Sequence, residues 1–130
     1  MKLKLSILAL FILVAISVKG AVVDTLAVYS EAMKKNVQVV VVSPENNHVP
    51  KPVVYLLHGY GGNQNTWPDI KKDLSQTATQ DSIIFVCPNG ENSWYWDSPF
   101  NKESQFETFI SKELVSYVDK NFSTRDDRTG

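Results

Sequence analysis

Val53-Val54-Tyr55-Leu56-Leu57 runs directly into His58-Gly59-Tyr60-Gly61-Gly62-Asn63. Consecutive apolar residues without alternation suit a strand buried on both faces, as in a parallel sheet. A glycine-rich turn at the carboxyl end of such a strand lets backbone N–H groups face a site with no side chains in the way. Upstream, residues 25–30 and 36–43 are rich in β-branched side chains and are separated by the short polar stretch 31–35, which predicts an antiparallel pair of strands. Residues 44–50 form a loop with a proline at each end, and His48 within it reads as a surface residue.

Downstream, Thr66 is a candidate N-cap, with Pro68 and Asp69 in a first helical turn and Ile70 and Leu74 as an apolar i, i+4 pair. Residues 83–87 make another short apolar strand, ended by Pro88-Asn89-Gly90. A second helix is predicted over 105–120. Phe106, Phe109, Ile110, Leu114, Tyr117 and Val118 share one face, and Ser104 with Glu107 matches a capping box. The order β-β-β-α-β-α predicts an α/β domain with a mostly parallel sheet and flanking helices. Residues 121–130 are polar and turn-rich where such a sheet needs a further strand. Residues 21–130 therefore read as the N-terminal part of a domain whose sheet is incomplete.

The 130 residues carry 13 Lys and Arg against 14 Asp and Glu, for a formal charge of −1, and 43% are hydrophobic. That balance excludes a disordered tail and a strongly basic nucleic-acid binder. The start reads as a signal peptide over residues 1–20: Lys2 and Lys4, an apolar run over 5–18, then Val18-Lys19-Gly20 before Ala21. The run is too short for a membrane span of about 20 residues. Cleavage after Gly20 would remove three lysines and no acid, leaving an acidic secreted or periplasmic chain without a membrane anchor. The single cysteine, Cys87, cannot form an internal disulfide and reads as a small buried strand residue in preference to a catalytic thiol.

The chemistry centres on 58–62. A dinucleotide fingerprint needs a third glycine where Gln64 stands, so that reading fails on spacing. An oxyanion loop of the His-Gly-x-Gly type fits the strand context, and an ordinary glycine-rich turn is the alternative. Trp94-Tyr95-Trp96 follows a strand end; such aromatics either stack on sugar or phenolic rings or plug the core. Trp94 or Tyr95 is expected to face the pocket, with Trp96 in the core. Trp67 either lines the same mouth or packs its helix. Asn121-Phe122-Ser123 fits a glycosylation sequon, but Asn121 is read as a helix C-terminal cap. Neither His58 nor His48 has a partner at metal-ligand spacing, so no metal is expected.

Residues 53–63, Trp67, the strand 84–90, Ser93-Trp94-Tyr95-Trp96-Asp97, the helix 109–122 and Thr124-Arg125-Asp126-Asp127-Arg128 together resemble the esterase D family. That family includes feruloyl and acetylxylan esterases, S-formylglutathione hydrolases and the antigen 85 mycolyltransferases. The resemblance implies an α/β-hydrolase fold and a serine carboxylesterase that works through an acyl-enzyme without a cofactor. It implies that the backbone N–H groups of Tyr60 and Gly61 form part of the oxyanion hole and that Trp94 and Tyr95 line the substrate pocket, for which Trp67 is a further candidate. His58 would then brace the loop by hydrogen bonding, because the family's base follows its nucleophile in chain order. No Gly-x-Ser-x-Gly elbow occurs in residues 1–130. The nucleophile, acid and base are thus not in this chain, and the chain alone is expected to be inactive. With an export signal, the implied substrate is an ester of plant polysaccharide, acetyl or feruloyl. The alternatives are an acyltransferase, or a non-catalytic carbohydrate-binding protein on the same fold.

Overall fold

The computed structural model describes residues 20–45 and 48–127. The predicted signal peptide lies outside the described residues except for Gly20. Strands β1 (Ala21–Ser30), β2 (Lys35–Pro44), β3 (Val53–Tyr55) and β4 (Ile84–Pro88) form one sheet in the order β1-β2-β4-β3. Helices α1 (Thr66–Ile70) and α2 (Leu74–Asp81) connect β3 to β4. After β4, α3 (Phe106–Thr108) passes through a π-helical stretch, Phe109–Leu114, into α4 (Val115–Asn121).

The valine run of β2 explains the layering. Side chains alternate between the faces of a strand. Val37, Val39 and Val41 therefore join Ile84 and Val86 under Phe106, Phe109, Leu114 and Val118 on one face. Val40 and Val42 join Phe85 and Cys87 against Leu74 and Ala78 on the other. An unbroken apolar run is what a strand covered on both sides requires, and β2 and β4 are those strands. Burial raises the Cys87 thiol to about 11, so it stays protonated, as a packing residue should.

The α/β class holds, but the sheet is mixed where a mostly parallel one was expected. Only β3 and β4 run parallel; β1–β2 and β2–β4 are antiparallel. Connection length is the reason. Parallel neighbours need a crossover of about a dozen residues or more, which the segment 56–83 supplies and the segment 45–52 does not. β2 and β3 therefore run in opposite directions with β4 inserted between them. β3 lies at the edge of the described sheet, so Val54 is 37% exposed and not buried on both faces. Beside the start of β3, Lys51 bridges in parallel to Thr124: its N–H donates to Ser123 O, and its carbonyl accepts from Arg125 N.

Local helix signals are reassigned by tertiary contacts. The N-cap of α1 is Asn65, not Thr66, whose Oγ1 instead accepts from Asn63 N at 2.9 Å. Ile70 and Leu74 fall on two helices, because the backbone leaves helical geometry at Lys71; Leu74 is buried and Ile70 is exposed. Asn121 lies inside α4 and its side chain donates to Tyr117 O, while Phe122 holds the cap position in an extended conformation. The π-helical register puts Phe109 and Leu114, five positions apart, in the same core cluster.

The capping box of Ser104 and Glu107 does not form. The N-cap is Gln105, without a side-chain cap bond, and the helix start is held from a distance by Asp97. The Asp97 carboxylate accepts from Thr108 N at 3.0 Å and from Thr108 Oγ1 at 2.6 Å. These bonds, the hydroxyl first, hold the Asp97 carboxyl below its ordinary value. A carboxyl with a lowered folded-state pKa stabilises fully above its unfolded value of about 3.9, and that contribution fades as pH falls through the folded value. In Asp97→Asn the decline of the urea midpoint below about pH 4 is expected to be shallower than in the unsubstituted protein. Parallel acid limbs for the two proteins would show that Asp97 does not carry the effect.

Candidate functional site

The chain leaves β3 with one further ladder bond, Leu56 N to Val86 O at 2.8 Å, and then turns. Gly62 N donates to Gly59 O at 3.1 Å, Gly61 has φ of +76°, and Tyr60 is not among the residues of positive φ. This is a type II turn with Tyr60 at its first central position and Gly61 at its second, where a positive φ demands glycine. Gly62 is required by proximity, since a Cβ there would lie 2.8 Å from Thr66 Oγ1 and 2.9 Å from His58 Nδ1.

His58 is buried behind the turn. Its Nε2 accepts from Gly90 N at 2.9 Å, and Nδ1 lies 2.7 Å from Gly59 O. An accepting Nε2 puts the proton on Nδ1, which donates to Gly59 O; the neutral ring thus ties the glycine loop to the 89–95 loop. Both nitrogens are occupied. Tyr95 completes this link: its hydroxyl donates to His58 O at 3.1 Å and its ring meets the imidazole edge-on at 5.7 Å. Burial holds the Tyr95 phenol above its ordinary range, which keeps it a donor.

The 89–95 loop is strained and braced. Glu91, Trp94 and Tyr95 have φ of 50°, 56° and 55°, a left-handed region that costs a non-glycine residue of order 1 kcal/mol or more. Ser93 offsets this: its Oγ donates to Gly90 O at 2.6 Å and accepts from Tyr95 N at 3.1 Å. Gly90 accommodates the Tyr95 ring, since a Cβ there would lie 2.1 Å from Tyr95 Cε1. The result sends Tyr95 inward and Trp94 outward. Trp94 is 77% exposed and stands beside the Tyr60 ring, with centroids 6.2 Å apart.

Between the two loops lies a cleft of about 160 Å³ lined by His58, Gly59, Tyr60, Glu91, Asn92 and Trp94. The Tyr60 N–H has no hydrogen-bond partner among the described residues. The Gly61 N–H does have one: it donates to Asn92 Oδ1 at 2.8 Å. Thus only one of the two expected N–H donors is unoccupied. A larger cleft of about 360 Å³ near Leu26, Tyr117 and Phe122 lies away from the glycine turn.

Tyr60 and Trp94 come together on this cleft, with His58 and Tyr95 directly behind. Trp67 does not join them: it packs against the second core and donates from Nε1 to Leu57 O at 3.0 Å. Trp96, expected in the core, is 53% exposed, because the backbone at Trp94 and Tyr95 gives the inward position to Tyr95. Residue order alone does not assign Asn92, Ser93 or Gly90 to this site. The Asn92-Ser93 pair is a turn-forming signal, but its partner across the cleft is 31 positions away. Among the described residues no cluster of His, Cys, Asp or Glu could hold a metal ion, and no helix is long and apolar enough to cross a membrane.

A family model described as Putative esterase matches residues 30–130. An acetyl esterase from Caldicellulosiruptor saccharolyticus is 29% identical over 100 residues, covering 69% of this chain and 37% of that protein. An endo-1,4-beta-xylanase/feruloyl esterase from Xylanibacter ruminicola is 31% identical over 85 residues, covering 59% of this chain and 12% of that protein. The solved structure of a fluorophosphonate-binding serine hydrolase from Staphylococcus aureus superposes with a TM-score of 0.75 at 19% identity, over 83% of this chain and 44% of that one. The chain spans less than half the length of each of these relatives.

Proposed function

The chain belongs to the Putative esterase family, and on that premise we propose that it carries the oxyanion loop and one aromatic wall of a secreted serine carboxylesterase. A nucleophilic serine outside residues 1–130 attacks the ester carbonyl, and the Tyr60 N–H receives the negative oxygen of the tetrahedral intermediate. The alcohol leaves with the serine's proton, and water then hydrolyses the acyl-enzyme, releasing the carboxylic acid and restoring the serine hydroxyl. The observation that carries this reading is the unoccupied Tyr60 N–H at the tip of a braced turn, opening on a cleft beside Trp94. Trp94 offers a flat exposed ring to a phenolic acyl group or a sugar. Together with the N-terminal sequence pattern and the similarity to an acetyl esterase and to an endo-1,4-beta-xylanase/feruloyl esterase, this supports acetyl or feruloyl esters of plant polysaccharide as substrates.

The complete protein is expected to hydrolyse p-nitrophenyl acetate and to lose that activity on labelling by a serine-directed phosphonate. Absence of turnover and of labelling would overturn the esterase reading. The exposed Trp94, Trp96 and Phe100 support a second reading, a carbohydrate-binding protein on this fold. Retention on insoluble xylan by a protein that neither turns over ester nor takes the label would favour it.

A further inference from the structure

The type II turn at Gly59–Gly62 has a close alternative. Type I and type II turns differ chiefly in the angle after the first central residue and the φ of the second, which change together as the peptide plane between them flips. Here that plane joins Tyr60 to Gly61. Glycine tolerates both orientations, so Gly61 alone does not select one. In the flipped state the Tyr60 carbonyl would take the side now occupied by the Gly61 N–H, putting an oxygen where a donor stands.

Asn92 discriminates between these states. The bond from Gly61 N to Asn92 Oδ1 is 2.8 Å, and the N–H donor fixes which end of the carboxamide is the oxygen. A flipped plane would confront that oxygen with the Tyr60 carbonyl, a repulsive pair. Asn92 is itself carried by a rigid segment: Glu91 N donates to Asn89 Oδ1, Ser93 Oγ donates to Gly90 O, and Gly90 N is held by His58. Asn92 also lines the cleft beside Tyr60.

We propose that Asn92 is a positioning residue for the oxyanion loop: by taking the Gly61 N–H it locks the Tyr60–Gly61 peptide in the type II orientation and leaves the Tyr60 N–H as the loop's donor to substrate. This rests on the esterase reading for its catalytic consequence, but the lock itself is a property of the loop. Asn92→Asp keeps an acceptor of the same reach, and Asn92→Ala removes it.

In the complete protein, Asn92→Ala is expected to lower kcat about 3- to 10-fold, as loss of one net hydrogen bond implies, with KM changed less than about twofold. Asn92→Asp keeps the acceptor but sets a negative charge beside the oxyanion, so it should hold the turn without restoring kcat. The Gly61 amide proton should exchange faster in Asn92→Ala and stay protected in Asn92→Asp. An unchanged Gly61 amide in Asn92→Ala, or an Asp variant as unprotected as the Ala variant, would overturn the proposal. No turnover by the unsubstituted protein would sink the esterase reading, and amide protection alone would then decide whether Asn92 holds the turn.

Discussion

Tyr60→Pro is expected to reduce kcat of the complete protein by about 10²–10³, the loss associated with removing one oxyanion donor, or about 2.7–4 kcal/mol of transition-state stabilisation. The turn geometry makes this substitution unusually clean. Proline lacks the N–H, and the first central position of a type II turn is where proline is favoured. The residue before it is Gly59, which has no Cβ for the proline ring to meet, and the Tyr60 side chain is 76% exposed. The melting temperature should therefore hold while turnover collapses. Tyr60→Phe retains the N–H and should stay near the unsubstituted rate. Comparable kcat in the proline and phenylalanine variants would remove Tyr60 from the oxyanion site.

Glu113→Ala is expected to destabilise the fold by about 2–4 kcal/mol, seen as a lower urea midpoint at unchanged m-value. Glu113 sits in the π-helical stretch and reaches the turn between β1 and β2. Its Oε2 accepts from Ser30 Oγ at 2.5 Å and its Oε1 from Ala32 N at 2.8 Å. Ser30 is fully buried, and its oxygen also accepts from Met33 N at 3.1 Å. Removing the carboxylate leaves donors in a poorly solvated place without a partner, which costs more than the bonds' net worth. Glu113→Gln keeps one acceptor and should lose less than the alanine variant. A shift below about 0.5 kcal/mol in Glu113→Ala, the range of ordinary surface substitutions, would show that the turn is held by its backbone alone.

Much of this was legible from residue order. The unbroken valines of β2, the apolar residues of β4 and the spaced aromatics of 106–118 announce a sheet with helical cover, and the structure buries them as expected. The glycines of 58–62 announce a turn that exposes backbone donors, because few other residues permit it. Signals that depend on a distant partner are not legible in this way. Ser104 and Glu107 have the spacing of a capping box, yet Asp97 does the capping through Thr108. Trp96 is as apolar as a core residue, yet two left-handed residues before it hand the interior to Tyr95.

Sequence by itself determined the α/β class and the place of the glycine turn, because these follow from periodicity and backbone permission within a few residues; the family resemblance rested on its motifs instead. Only the tertiary structure decided the mixed direction of the sheet, the inward Tyr95 and the division between the free N–H of Tyr60 and the occupied N–H of Gly61. Strand direction depends on which end of the sheet a connection can reach. Donor occupancy depends on Asn92 arriving across the cleft from 31 positions away, a pairing that local spacing does not encode.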